Sequence, residues 1–350
     1  MNQLRLGIVG TGRLGGFHAS KAAANREVDF VGVFDVSQES RRKIALQYGV
    51  KEYDKLDDLL ADVDAVVVAA PSVLHAEIGR RALTAGKHLL VEKPATTESA
   101  SARELARIAK SKGLVLQVGH VEQHNPAWRE AIKRLEDVRS GCVPAFVEAT
   151  RTSGYTFRST DVGATLDLMI HDLELVLSLI PSNVERVSAF GCAQLGGWED
   201  EAFATLEFEN GSIARLNASR VERRAIRKMT IRTATQTVDV DFASREATLA
   251  RPKRDVLLGK YSPFAVSYAE MAPRVATFMR DEFEVEELVC EPFDALELEM
   301  KNFVDAALRG APSVAPGVRA AEAVALAEAI VEDLRRRAKR ADAQKFRIAG

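Results

Sequence analysis

Cysteine is scarce in this chain: Cys142, Cys192 and Cys290 stand far apart and form no CxxC pair. That excludes a zinc ribbon, a redox dithiol and a disulfide framework, and fits a reducing compartment. There is no HExxH pattern and no clustered His/Cys set, so no metal is expected. Charge of either sign is nearly balanced, and a formal net charge of -2 supplies no global field for nucleic acid or an anionic membrane. No apolar run approaches the roughly 18 residues that a membrane span needs. Met1 leads straight into a strand pattern rather than a charged-then-apolar leader. These absences point to a cytoplasmic protein with neither a membrane nor a nucleic-acid partner. Repeats and low-complexity segments are also missing. With 47% hydrophobic and 28% charged residues, the composition is that of an ordinary globular chain whose 350 residues ask for two domains.

The first third alternates apolar strands with amphipathic helices. Strand patterns cover Leu4 to Val9, Phe30 to Phe34, Ala65 to Ala69, His88 to Glu92 and Leu114 to Val118. Helical patterns lie between them, one capped by Ser37 and stopped by Gly49, others reaching Ala24, Ala85 and Lys112. Continuous Val/Ile/Leu strands alternating with helices indicate a doubly wound parallel sheet. Gly10-Thr11-Gly12-Arg13-Leu14-Gly15 follows the first strand at once, and Asp35 ends the second strand. A GxGxxG in that context is a dinucleotide fingerprint: glycines admit pyrophosphate to the backbone, and the helix N-terminus faces it with free N–H groups. Asp35 suits the adenosine ribose hydroxyls and would repel a 2′-phosphate, which favours NAD over NADP.

After Gly119 the alternation stops. Strand patterns run over Val143 to Arg151, Val184 to Phe190, Ala202 to Phe208, Ile213 to Val221, Met229 to Thr233 and Thr237 to Phe242. Asn210-Gly211 signals a hairpin. One helix pattern covers Leu166 to Ile180, and two more close the chain, about Asp294 to Leu308 and Val318 to Lys339. Residues 123–350 are therefore expected to form an α+β domain around a mostly antiparallel sheet. Residues 1–122 are expected to form the Rossmann domain, with the closing helices packing back on it.

Two spots carry chemistry. Glu92-Lys93-Pro94 puts a lysine at the carboxyl end of a buried strand, where open parallel sheets bind their ligands. Asp167 and His171 stand i, i+4 on a helix, so the carboxylate is expected to orient the imidazole for proton transfer. The remaining histidines offer less: His18 and His75 read as loop supports, and the i, i+4 spacing of His120 and His124 falls in a segment that is not helical.

These pieces together resemble the Gfo/Idh/MocA oxidoreductase family. They are the fingerprint, Pro71-Ser72-Val73-Leu74-His75, Gly86 through Pro94, Asp167 to His171 and the Glu207 to Gly211 hairpin. The resemblance implies a Rossmann domain, an open-faced sheet domain, substrate between them and a homodimer or homotetramer formed through the sheet. It also implies Lys93 and His171 as the catalytic pair with Asp167 beside them. Cofactor contacts would come from Gly10 to Gly15, Asp35, Pro71, Ser72, His75 and Glu92. Substrate contacts would come from Lys93, Glu122, Asn125, Arg151, Arg158 and His171, the two arginines being candidates for a diphosphate. Val118 to Ala127 is similar to a branch acting on nucleotide-linked amino sugars such as UDP-N-acetylglucosamine, with Gln123 and His124 where that branch has Arg and Phe. The expected reaction is NAD-dependent oxidation of a ring hydroxyl, at C3, to a keto-sugar. The alternatives are a free-sugar or inositol dehydrogenase and a non-catalytic NAD-binding regulator.

Overall fold

The computed structural model describes residues 3–157, 161–195, 197–260 and 267–348, with side chains to 339. Six strands, β1 (Leu4–Val9), β2 (Val28–Phe34), β3 (Lys51–Tyr53), β4 (Ala65–Val68), β5 (His88–Glu92) and β6 (Leu116–Gly119), form one parallel sheet in the order β3-β2-β1-β4-β5-β6. Helices cover both faces, which is why Leu6, Ile8, Val66, Val67 and Val68 are all fully buried. Strand order reverses between β1 and β4, opening a crevice at their carboxyl ends. Sequence periodicity misses β3 and the helix Leu56–Asp62, because three residues show no alternation.

A second sheet holds β7 (Phe146–Thr152), β8 (Val184–Cys192), β9 (Glu201–Phe208), β10 (Ile213–Ser219), β11 (Ile226–Arg232), β12 (Thr237–Asp241), β13 (Glu246–Pro252) and β14 (Phe283–Leu288). Their order is β14-β13-β12-β11-β7-β10-β9-β8, antiparallel except for β7 with β10. Gly211, at φ 84°, turns β9 into β10 as expected from Asn210-Gly211. Val147, Ala149, Leu216, Met229, Ile231 and Val240 point to one face and pack under the helix Ile170–Leu179. The opposite face is open: Phe190 is 68% and Phe203 44% exposed. β13 and β14 were not evident from sequence, since β14 (FEVEEL) is an edge strand whose charges mask its alternation.

The closing helices return to the first sheet. In Ala295–Arg309, capped by Asp294, residues Met300, Phe303 and Val304 join Leu6 and Ile8 in the Rossmann core. In Gly317–Ile348, Ala320 and Ala321 pack with the other Rossmann face, while Val324, Ala327, Ile330 and Leu334 enter the core of the second sheet. Among the described residues no helix is long and apolar enough to cross a membrane.

Asp333 pins that last helix to β8. Its buried carboxylate accepts the Ala189 N–H at 2.8 Å and pairs with Arg337 at 2.9 Å and with Arg336. Burial alone would raise its pKa, but these donors bring it down to about 2. Against an unfolded value of about 3.9, this contributes stability that is present above that pH and lost as pH falls toward the folded value. In urea unfolding across acid pH, Asp333→Asn should flatten that acid limb. A limb unchanged from the wild type would dismiss the carboxylate's role.

Candidate active site

The cofactor crevice follows from backbone sterics. Gly10 adopts φ 90°, and a Cβ there would lie 2.7 Å from the Ala69 backbone. A Cβ on Gly15 would meet the Gly10 carbonyl oxygen at 1.9 Å, so β1 and the first helix approach this closely only through glycine. A Cβ on Gly12 meets nothing within 4 Å, leaving its backbone open to a ligand. The adjoining cavity of about 630 Å³ is lined by Gly10, Gly12, Arg13, Leu14, Asp35 and Pro71, together with Phe17 and Ala70. This open glycine backbone at a helix N-terminus fits a dinucleotide. Asp35 Oδ2 accepts the Thr11 N–H at 2.6 Å and Oδ1 the Ser37 N–H at 2.8 Å, so the carboxylate also fixes the loop.

Not every residue expected at the cofactor lines this cavity. His75 is buried, with its ring nitrogens 2.8 Å from the Pro94 and Ala70 carbonyl oxygens, and so braces the Lys93-Pro94 turn. Ser72 donates to Asp161 of the second unit at 2.9 Å. Glu92 is buried and bonded to His18 Nε2 at 2.7 Å.

Lys93 sits at the end of β5, most of its side chain buried. Its Nζ donates to the Asp167 carbonyl at 2.7 Å and to Asp167 Oδ1 at 3.0 Å. Asp167 therefore serves the lysine and not His171, which corrects the expected Asp–His pairing. Lys93 takes the carboxylate, and residues 165–169 form a π-helical turn in which the Ile170 N–H reaches the Thr165 carbonyl. The regular i, i+4 register assumed from sequence is absent there.

His171 Nδ1 is buried without a hydrogen-bond partner. Burial first, then the charges of Lys93 and Arg151, hold its pKa well below 6.5, so the ring is a neutral imidazole. The His120 ring lies edge-on to it, centroids 6.3 Å apart, and burial with Arg319 and Lys93 lowers His120 to about 3. Sequence spacing missed His120 at the site. Its position one residue beyond β6, at the same sheet edge as Lys93, was the available signal.

Arg151 is the second correction. It is fully buried, with Nε and Nη2 donating to Asp172 and Nη1 to Glu122 Oε1 at 2.8 Å. Burial works to lower its pKa, but the two carboxylates raise it. It is the cation of an internal cluster, unavailable to a diphosphate, and removing one member of such a cluster costs about 3–5 kcal/mol. Glu122 also accepts from Asn125 Nδ2 at 3.1 Å, so both stiffen the 121–125 turn. Arg158 lies outside the described residues. Gln123, a departure from the expected pattern, is internal: it donates to Glu174 at 2.7 Å and accepts from Trp128 Nε1 at 3.1 Å. His124 is buried too, and burial with Arg129 lowers it to about 4.

Two family descriptions match, "Oxidoreductase family, NAD-binding Rossmann fold" over residues 4–120 and "GFO/IDH/MocA C-terminal domain" over residues 137–238. The chain is 37% identical over 242 residues to UDP-N-acetylglucosamine 3-dehydrogenase from Acidithiobacillus ferrooxidans, covering 69% of this chain and 75% of that protein. This chain belongs to the Gfo/Idh/MocA oxidoreductase family. The solved structure of the same Acidithiobacillus protein superposes with a TM-score of 0.81, at 30% identity, over 95% of this chain and 98% of that one. Scyllo-inositol 2-dehydrogenase (NAD(+)) of Bacillus subtilis is 26% identical over 234 residues, 63% of this chain and 68% of that protein. The Gfo/Idh/MocA assignment makes the chain an NAD-binding oxidoreductase, with related dehydrogenases that act on sugar or inositol hydroxyls.

Behind Lys93, ligand atoms of His18, Glu92 and Glu299 lie within 4.8 Å of one another. Both Glu299 carboxylate oxygens are buried without a partner. Burial, then the neighbouring Glu92, pushes Glu299 well above the usual carboxylate range, so it holds its proton. For Glu92, burial is outweighed by the His18 hydrogen bond and the His18 and Lys93 charges, which lower it. Two carboxyls sharing a dry site divide into one acid and one anion. A group with a raised folded pKa contributes stability that is fully present below its unfolded value, about 4.3. That stability is lost as pH rises toward and through the folded value. In thermal unfolding from acid to alkaline pH, the wild type should lose more stability than Glu299→Gln. Parallel curves for the two proteins would show that Glu299 is ionised in the folded state.

Proposed function

We propose that this protein oxidises a ring hydroxyl, at C3, of a nucleotide-linked amino sugar such as UDP-N-acetylglucosamine, with Lys93 and His171 as the catalytic pair. The observation that supports this most directly is Lys93 Nζ, held by Asp167 at 2.7 and 3.0 Å beside a neutral His171. Lys93 follows β5 of the sheet whose β1 and β4 ends line the cofactor cavity, and His171 belongs to a helix of the second unit close enough to feel the lysine's charge. The substrate class rests on the likeness to the Acidithiobacillus enzyme.

Bound NAD supplies a hydride acceptor. Lys93 donates from Nζ to the reacting oxygen and favours the charge that develops there as the hydroxyl proton departs. Asp167 keeps that ammonium aimed. His171, unprotonated, takes the hydroxyl proton on Nε2, since Nδ1 is buried. Its lowered pKa keeps the proton-accepting form populated below pH 6.5. The division of the chain at residues 122 and 123, and a homodimer or homotetramer covering the open face around Phe190 and Phe203, belong to the same proposal.

A second reading is a dehydrogenase for a free sugar or inositol. It is favoured by the burial of Arg151, which removes one expected diphosphate ligand, and by the inositol-dehydrogenase relative. Measured binding of UDP alone separates the two.

Lys93→Ala and His171→Ala should each reduce kcat by about 10²- to 10⁴-fold while NAD still binds, read by NADH absorbance and by cofactor titration. Wild-type turnover in either variant would end this mechanism. In the wild type, the acid limb of kcat/KM should fall below pH 6.5, the ordinary histidine value. Asp35→Ala should shrink the kcat/KM preference for NAD over NADP, and an unchanged ratio would remove the carboxylate's part in cofactor choice.

A further inference from the structure

With Arg151 committed to Asp172 and Glu122, an anionic substrate needs other cations, and two line a cavity next to the site. A cavity of about 740 Å³ opens beside the 121–125 turn, lined in part by Glu122, Asn125, Arg227, Arg245, Phe293 and Asp294. Its acidic groups are already neutralised. Glu122 is paired with Arg151. Asp294 pairs with Lys21 at 2.6 Å and accepts the N–H groups of Leu296 and Glu297. Neither the Arg227 nor the Arg245 side chain makes a hydrogen bond or ion pair among the described residues, and although the Arg227 charge is felt by Asp172 and His171, both guanidinium groups keep their donors free for a ligand.

Both arginines are held in place by backbone. Arg227 is opposite Arg151 in the pairing of β11 with β7, and the Phe242 N–H donates to its carbonyl at 2.9 Å. Since cross-strand partners point to the same face, its side chain leaves the sheet on the side that carries Arg151 and the Asp172–His171 end of the neighbouring helix. Arg245 sits in the turn between β12 and β13 at φ 64°, a conformation rare for a residue with a side chain. Asp241 Oδ1 holds that turn by accepting the N–H groups of Ala243 and Ser244 at 2.9 and 3.1 Å. Such an outlier is kept where the surroundings over-determine it, and the residue it carries lines the cavity. The cavity and the active site share one segment: Val121, Glu122 and Asn125 line the cavity, and His120 packs against His171.

We infer that Arg227 and Arg245 form the subsite for the diphosphate of a nucleotide-linked substrate, with the base lying toward Phe293. This rests on the nucleotide-sugar reading and names the residues that would make it specific. Guanidinium forks match diphosphate oxygens in pairs, and two of them neutralise the two charges of the ester. Phe293 is half-buried, with Arg129 over its ring at 5.0 Å, and offers apolar surface at the cavity wall.

The test is calorimetric titration of the full chain, saturated with NAD, with UDP, inorganic pyrophosphate and free N-acetylglucosamine as separate probes. Arg227→Gln and Arg245→Gln are each expected to weaken UDP and pyrophosphate binding by about tenfold or more, the usual scale for a charge-assisted hydrogen bond. The double variant should weaken it further, and NAD affinity should not change in any of them. UDP binding of wild-type strength in the double variant overturns the subsite while leaving the nucleotide-sugar reading in place. Arginine-dependent pyrophosphate binding without UDP binding keeps the anion site and overturns that reading. A wild type that binds neither probe overturns both.

Discussion

The ionic contact from Lys93 to Asp167 is the constraint on which the site depends. It joins the first residue beyond a Rossmann strand to a π-helical turn of the second unit, so the position of the ammonium is fixed by both. A lysine on a flexible four-carbon stem loses much rotamer freedom when it is held to one geometry. Two acceptors on one residue impose that geometry, with a carbonyl and a carboxylate approaching the ammonium together. The lysine's charge, added to burial, helps to keep the neighbouring imidazoles neutral.

Two layers of buried charge support that contact. Behind Lys93, the His18–Glu92 hydrogen bond holds the strand end in register, and Glu299 closes the layer without adding a second negative charge. Beneath His171, Asp172 and Glu122 are balanced by Arg151, and Glu174 is met by Arg319 and Gln123. Buried ion pairs are weak sources of stability but set positions sharply, because any displacement leaves a charge unpaired in a dry interior. The helix that bears His171 is therefore held along its length by buried ion pairs from Arg151 and Arg319.

Much of this was legible in the sequence, for reasons that can be named. The parallel sheet showed itself in continuous Val/Ile/Leu runs, the cofactor crevice in glycine spacing, and Lys93 in its place at a strand end. Asp167's partner was not legible, since Lys93 lies 74 positions away and no local rule brings them together. Arg151 was misread although the signal was present: Val147, Ala149 and Arg151 alternate in phase along β7, which puts the arginine on the core face. A buried arginine in a sheet core implies carboxylates from elsewhere, and Asp172 and Glu122 are those. The spacing of His120 and His124 does not reveal His120's place, which comes from its position one residue beyond β6 at the sheet edge.

The last helix carries a consequence for how the molecule comes apart. Its first turns complete one apolar core and its later turns another, while the preceding helix fills the opposite side of the Rossmann sheet with Met300, Phe303 and Val304. A fragment ending after residue 122 would leave Leu6, Ile8, Val118 and their neighbours facing water. The two sheets are thus separate in sequence and topology but not as thermodynamic units. Their melting is coupled through one rod of chain, and damage to that rod is felt at the cofactor crevice and the open sheet alike.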